Sequence, residues 1–339
     1  MINLHRRRLL MAVIGLVIAI AFAIVNNLIA VKAVSAPKIK IVVISDLNSQ
    51  YGSIIYEPEV HQAISLILTW QPDLVLCGGD MIAGQKLSLS NEQIQAMWTA
   101  FDRQIAKPLR DHSIPFGFTI GNHDGSGAIS AGNEIFKRER ELASAYWNDP
   151  KLNYNLNFID KAQFPFYYTF EKRGIFFLVW DASTNVISPQ QLSWVEQSLA
   201  SNEAQQAKMR IAIGHLPLYP VAVGREKSGE YLEEAEQLRN LLEKYQVHTY
   251  VSGHDHAYYP GQKGQLQLLN AGALGSGSRQ LLNSNLPPRK TITIVEIDLS
   301  ASTTVYTTYD LPTLEIIDPL SLPPIIFAPN GKVLRRNLT

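Results

Sequence analysis

Apolar residues occur in short blocks along this chain, and clusters of glycine and polar residues close many of them. Lys38 to Ile44 is a β-branched run that predicts a strand ending in Ser45-Asp46. Glu57 to Trp70 has helical spacing, and Asp73 to Leu76 predicts a second buried strand closing on Gly78-Gly79-Asp80. Asn91 to Arg110 predicts one long amphipathic helix. The strand Ile114 to Ile120 follows, and then Gly121-Asn122-His123-Asp124. Strands alternating with helices imply a largely parallel sheet flanked by helices. In such sheets ligands bind beyond the carboxyl ends of the strands.

The second half repeats the rhythm loosely. Phe166 to Phe170 and Ile175 to Trp180 predict paired strands around the turn Lys172-Arg173-Gly174. Pro189 suits the first turn of a helix running to Leu199. Arg210 to Ile213 leads into Gly214-His215. A helix from Tyr231 to Tyr245 precedes the strand His248 to Val251 and the cluster Gly253-His254-Asp255-His256. Leu266 to Leu269, Thr291 to Ile297 and Thr303 to Tyr309 supply further strands. From Pro312 onward several prolines and no clear period predict a tail lying over the surface. The chain therefore divides into residues 1–36, a main domain over 37–311, and a tail over 312–339.

The first of these segments points to export. Arg6-Arg7-Arg8 precedes an apolar run from Leu9 to Val25, with small residues around Ala33 to Ala36. That run serves either as a cleaved signal or as an anchor, and at 17 residues it has the minimum length of a spanning helix, roughly 17–25 residues. Residues beyond about 37 are expected outside the cytoplasmic membrane, with membrane contact through the N-terminal segment if it stays uncleaved.

Composition narrows the function classes. Of 339 residues 46% are hydrophobic, enough for a large core, while Lys+Arg and Asp+Glu balance at 30 each. That zero balance gives no reason to expect a nucleic-acid partner. The single cysteine, Cys77, excludes an intramolecular disulfide, and its apolar surroundings predict a buried strand residue.

Five separated clusters hold ligands for hard or borderline metals: Asp46, Asp80, Asn122 with His123, His215, and His254 with His256. Each follows a predicted strand, and all but the first have a glycine just before them, which allows close backbone approach. Asp46 or Asp80 alone would read as a turn or helix-cap residue. Together with the histidines they read as ligands. Mixed carboxylate and imidazole donors suit Mn, Zn or Fe, and a carboxylate such as Asp80 can bridge two cations about 3.5–4 Å apart.

These stretches resemble the calcineurin-like metallophosphoesterase superfamily. The matching segments are Asp46-Leu47-Asn48, Gly79-Asp80, Gly121-Asn122-His123-Asp124, Gly214-His215 and Gly253-His254-Asp255-His256, all in family order. The resemblance implies an α/β fold: a four-layer α/β/β/α sandwich of two mixed sheets flanked by helices, with two divalent or trivalent metal ions at its edge. It implies that Asp46, Asp80 and His256 bind the first ion, and that Asn122, His215 and His254 complete the second beside a bridging Asp80. By the same resemblance His123 contacts the phosphate and protonates the leaving group, and Asp124 orients its ring.

One position departs from the pattern. The first motif ends in Asn48 where the family has His, and an amide oxygen is a weaker, harder ligand. Purple acid phosphatases also lack that His but carry a Tyr three residues after the bridging Asp; here that residue is Ala83. Tyr51 is close enough in sequence to substitute, and otherwise is an ordinary loop tyrosine. Asp181 orients loops near the site or caps a turn. Gly272 to Gly277 either cradles phosphate oxygens or forms a flexible loop on the substrate side.

The expected activity is hydrolysis of phosphate mono- or diesters by a metal-bridging hydroxide, on a phosphorylated small-molecule or lipid-linked substrate. A non-catalytic or metal-depleted binding protein is the alternative, supported by Asn48 and opposed by the retained His123 and Asp124.

Overall fold

The computed structural model describes residues 38–338, so the expected export segment lies outside the described residues. Among the described residues no helix is long and apolar enough to cross a membrane.

The first sheet contains β1 (Ile39–Ile44), β2 (Leu74–Cys77), β3 (Phe116–Phe118), β13 (Thr291–Asp298), β14 (Thr303–Asp310) and β15 (Glu315–Ile316). Their order is β15-β14-β13-β1-β2-β3. The pairs β1·β2 and β2·β3 are parallel, whereas β13 runs antiparallel to β1. A second sheet holds β6 (Asn157–Gln163), β7 (Tyr167–Lys172), β8 (Ile175–Val179), β9 (Met209–Ile213), β10 (Thr249–Ser252), β11 (Tyr259–Lys263), β12 (Leu266–Asn270), β16 (Ile325–Ala328) and β17 (Gly331–Arg335). Its centre, β8 to β10 and β12, is parallel and its margins are antiparallel. A two-strand hairpin, β4 (Ile129–Ser130) with β5 (Asn133–Glu134), stands apart.

The sheets meet face to face: Ile41, Val43 and Leu76 of the first line a small internal cavity with Ile211, Val251 and Leu269 of the second. Helix α1 (Pro58–Trp70) buries Val60, Ala63, Ile64 and Ile67, the i, i+3, i+4, i+7 stripe its spacing predicts. Thus the two mixed sheets form the inner layers of the sandwich, with helices outside them.

The expected helix Asn91–Arg110 has an internal irregularity. Helix α2 (Asn91–Phe101), closed by a Ser90–Gln93 capping box, passes through a π-helical turn at Asp102–Ala106 into α3 (Lys107–Asp111). Pro108 lacks the N–H for a regular ladder, and the Lys107 amide reaches back five residues to Asp102 instead. Helices α4 (Asn122–Gly125) and α5 (Lys137–Trp147) follow β3. Trp147 stacks on Phe118 at 3.6 Å between ring centroids, which anchors α5 against the strand that carries the Asn122 loop. Beyond β8 come α6 (Pro189–Ala200) and α7 (Asn202–Gln206), and α8 (Ala235–Lys244) precedes β10. Helix α8 starts at Ala235 instead of Tyr231 because the Leu232 and Glu233 amides donate to Pro217 and Asn185.

The expected surface tail is corrected by the structure. Residues after 312 add β15 to the first sheet and β16 and β17 to the second, where β17 pairs with β11. Ile326 and Val333 are fully buried, so alternate residues of these short strands cover the sheet margin despite the prolines around them.

Candidate metal and phosphate site

Five parallel strands from two sheets end at one place. Asp46 follows β1, Asp80 follows β2, and α4 begins at Asn122 just after β3. His215 follows β9 and His254 follows β10. Backbone hydrogen bonds stitch the ends together: the Asp46 amide donates to Gly79 at 3.0 Å, Leu47 to Asp80 at 2.9 Å, and Gly253 to His215 at 3.0 Å. Asp46, Asp80, His254 and His256 all sit at positive φ, between 51° and 66°, a conformation that side-chain-bearing residues rarely adopt. Such strain persists only where surrounding contacts enforce it, and it gathers at functional sites. Gly79, at φ +95°, has no room for a side chain, since a Cβ would stand 2.7 Å from His215 Nδ1.

Hydrogen bonds on the far side of each ring assign the lone pairs that face inward. His215 Nδ1–H donates to the Gly78 carbonyl at 2.7 Å, so Nε2 turns toward Asn122 Oδ1 at 2.8 Å and Asp80 Oδ2 at 3.4 Å. His254 Nε2–H donates to Glu230 Oε2 at 3.0 Å, which leaves Nδ1 facing Asn122 Oδ1 at 3.0 Å and His215 Nε2 at 3.3 Å. The Asn122 amide nitrogen is spent on Gln85 Oε1 at 2.7 Å, which orients its oxygen inward. Burial pulls His254 down to about 3 and keeps it neutral. Burial also works against a charge on His215, but the Asp80 and Asp46 carboxylates outweigh it and lift His215 to about 9. Lone pairs from Asp80, Asn122 and His254 thus converge on one extra proton. A divalent cation meets the same lone pairs with more charge, so the donor set fits a metal ion.

A second group lies beside the first. His256 Nδ1–H donates to Gly277 at 2.9 Å and directs Nε2 at Asp46 Oδ1, 3.2 Å away. Ligand atoms of Asp46, Asp80 and His215 all lie within 4.8 Å of one another. Burial works against the charges on Asp46 and Asp80, yet the imidazoles of His256 beside Asp46 and His215 beside Asp80 hold both carboxyls below their usual range. Asn48 stands in the cavity wall with its backbone N–H on Asp80 O, and among the described residues no hydrogen bond ties its amide. Six expected ligands therefore come together around Asp80, with Asn48 at the margin.

His123 lines the same cavity, an open space of about 850 Å³. Its backbone N–H donates to Asp80 Oδ1 at 2.8 Å, its Nδ1 bonds the Gly84 carbonyl at 3.2 Å, and its Nε2 lies 3.9 Å from Asp80 Oδ2. The expected role of Asp124 is corrected here. Its carboxylate accepts the backbone amides of Met81, Ile82 and Gly121 at 2.7–2.9 Å, so it clamps the Asp80 loop to the Asn122 loop and does not orient the His123 ring. Burial and the nearby Asp80 charge lift Asp124 to about 7, in spite of those donors. Tyr51 packs on the His123 ring at 5.2 Å between centroids and is 55% exposed, so it is a lining residue.

The amides of Leu274, Gly275 and Ser276 donate to the carbonyls of Ser45, Asp46 and Asn48, so this glycine-rich stretch neither cradles phosphate with them nor hangs free. Cys77 is buried, with its thiol pushed up by that burial. Asp181 meets both expectations: Oδ2 pairs with Arg140 at 2.7 Å, which donates to the Gly125 carbonyl, and Oδ1 caps the turn by accepting the Ser183 amide at 3.2 Å. Gln85 and Glu230, which orient Asn122 and His254, have no motif around them in the sequence and emerge only from contacts 37 and 24 residues apart.

Comparison with known proteins agrees with this geometry. The family model for calcineurin-like phosphoesterases matches residues 39–258. No curated protein matches the chain in sequence. Among solved structures, a purple acid phosphatase from yellow lupin (Lupinus luteus) seeds is similar at TM-score 0.61 and 18% identity, over 84% of this chain and 53% of the lupin enzyme. The chain thus spans about half of that enzyme. A Plasmodium protein described as the anchor in the inner membrane complex aligns at TM-score 0.53 and 13% identity, over 84% of this chain and 88% of its own. Both likenesses concern the fold. With the family match covering most of the chain, and the six expected ligand residues gathered around Asp80, the protein belongs to the calcineurin-like phosphoesterases.

Proposed function

We propose that the chain hydrolyses phosphate esters with two metal ions, outside the cytoplasmic membrane. The observation that carries this reading is the convergence of ligand-type atoms from Asp80, Asn122, His215 and His254 beside His123. These four would hold one ion; Asp46 and His256, with Asp80, would hold the other, and the untied Asn48 amide is available to it. Paired cations, when bound, neutralise phosphoryl charge and make water easier to deprotonate.

The protein's own part is to position groups and move one proton. The Gly84 carbonyl fixes His123 Nδ1, so Nε2 is the atom that gives its proton to a departing alkoxide in the cavity. Asp124 keeps the Asp80 and Asn122 loops in register through three backbone bonds. The cavity volume accommodates a phosphorylated small molecule or the head of a lipid-linked phosphate. Export rests on the arginine-then-apolar start at residues 6–25. A binding or anchoring role of the kind described for the Plasmodium protein draws support only from Asn48, and His123 favours catalysis.

The test is a turnover assay on purified full-length protein stripped by a chelator and resupplied with Mn²⁺, Zn²⁺ or Fe. Metal should restore hydrolysis of p-nitrophenyl phosphate or bis(p-nitrophenyl) phosphate. His123→Ala should leave metal content unchanged and lower turnover of an alkyl phosphate by about 10²–10⁴-fold. The loss should be far smaller for a p-nitrophenyl ester, whose leaving group hardly needs a proton. Absent turnover on every ester would remove the enzymatic reading, and metal-independent turnover would remove the two-metal one.

A further inference from the structure

We propose that Arg279 and Arg225 form a subsite for a second anionic group, carboxylate or phosphate, so that the preferred ester carries two anionic groups. This rests on the phosphoesterase reading and adds the substrate class. Both arginines line the cavity that contains His123, His254 and His256. Arg279 is held against the site by its backbone N–H, which donates to the His256 carbonyl at 3.0 Å. Its guanidinium has one weak bond, Nη1 to the Val223 carbonyl at 3.4 Å, and among the described residues no carboxylate stands within ion-pair reach. Gly224 makes space for it, since a Cβ there would come within 2.9 Å of Nη1.

Nearby carboxylates take other donors and none pairs with Arg279, although Oδ1 of buried Asp255 has no hydrogen-bond partner among the described residues. Glu230 Oε2 takes both Arg225 Nη1 at 2.5 Å and His254 Nε2 at 3.0 Å. Glu226 accepts the Gly224 amide, and buried Asp255 accepts the Val221 amide and Asn270. The Nε atoms of Arg225 and Arg279 are buried without any hydrogen-bond partner. Both guanidiniums border the open cavity, and an incoming anion there would meet the Arg279 charge, which no carboxylate among the described residues pairs. The planar fork of arginine suits a carboxylate or a phosphate equally. Burial first, and the like charge of Arg225 second, lower the Arg279 pKa against the raising effect of Glu230, Asp255 and Glu226.

The experiment compares ester pairs that differ by one anionic group: 3-phosphoglycerate against glycerol 3-phosphate, and fructose 1,6-bisphosphate against fructose 6-phosphate. Wild type should favour the two-anion member of at least one pair, and which pair responds distinguishes carboxylate from phosphate. Arg279→Gln should cut that preference in kcat/KM by roughly 10- to 100-fold, mainly through KM, as for the loss of charge-assisted hydrogen bonds. Arg279→Lys should restore part of it. Calorimetric binding of 3-phosphonopropionate against propylphosphonate applies the same test without turnover, so a failed phosphoesterase reading and a failed subsite remain distinguishable. Equal losses on both members of each pair would place Arg279 on the reacting phosphate and overturn the proposal. Absence of any wild-type preference, in turnover and in phosphonate binding, would overturn it as well.

Discussion

Asn48 stands at the position where the resemblance leads us to expect His, two residues after Asp46, 5% exposed in the wall of the cavity that His256 also lines. An amide oxygen adds no negative charge and binds a divalent cation more weakly than imidazole, so the ion on the Asp46–His256 side should be the more easily lost. Replacing Asn48 by His is expected to raise affinity on that side by about tenfold, the lower end of what a well-placed change near a metal achieves. Metal titration into stripped wild type and Asn48→His, read as two binding steps, checks this. Equal and tight filling of both sites in wild type would show that Asn48 costs nothing.

At the scale of elements, the strand-to-loop turns bring the site together. Gly121 shows how little room they leave: a Cβ at that position would lie 2.1 Å from Asp80 Oδ1 and 2.4 Å from the Asp80 amide. Gly121→Ala must displace Asp80 and with it the bond from the His123 amide. Overpacking of this kind costs about 1–3 kcal/mol. The variant should therefore unfold at lower urea and bind less metal than wild type. Gly127→Ala is the control, because its Cβ would meet nothing nearer than 3.4 Å. Indistinguishable melts and metal contents for the two variants would mean that the turn yields more readily than its contacts suggest.

For the whole molecule, His248 reports on the closing of the second sheet. It precedes β10, faces Gln267 of β12, and feels the charge of Arg336 beyond β17. Burial first, and Arg336 second, bring its pKa down from 6.5 to about 4. Above pH 6.5 the imidazole is neutral folded or unfolded and contributes no pH dependence. Between pH 6.5 and 4 the unfolded chain takes the proton and the folded one does not, so stability falls as the pH falls. After allowance for partial solvent exposure, the loss should reach about 1–2 kcal/mol at pH 5. Urea unfolding at pH 7.5 and pH 5 should show this extra loss in wild type and not in His248→Gln. Parallel losses in both proteins would assign the acid sensitivity to other groups.

The ligand residues were legible in the chain because their signal is local. A glycine, a carboxylate, amide or imidazole, and a preceding β-branched run are all set by backbone reach within a few residues. So Asp46, Asp80, Asn122, His215, His254 and His256 could be named from spacing and resemblance, and the parallel strands that present them from period alone. Tertiary structure alone decided which groups orient those ligands. Asp124 clamps amides 43 and 42 residues away instead of the neighbouring His123 ring. Glu230 and Gln85 set the tautomer of His254 and the amide of Asn122 from loops without a motif. Strands β16 and β17 were equally hidden. A short strand at a sheet margin needs only one or two inward residues, here Ile326 and Val333, too few for a periodic signal until the chain has folded and the sheet edge is there to receive them.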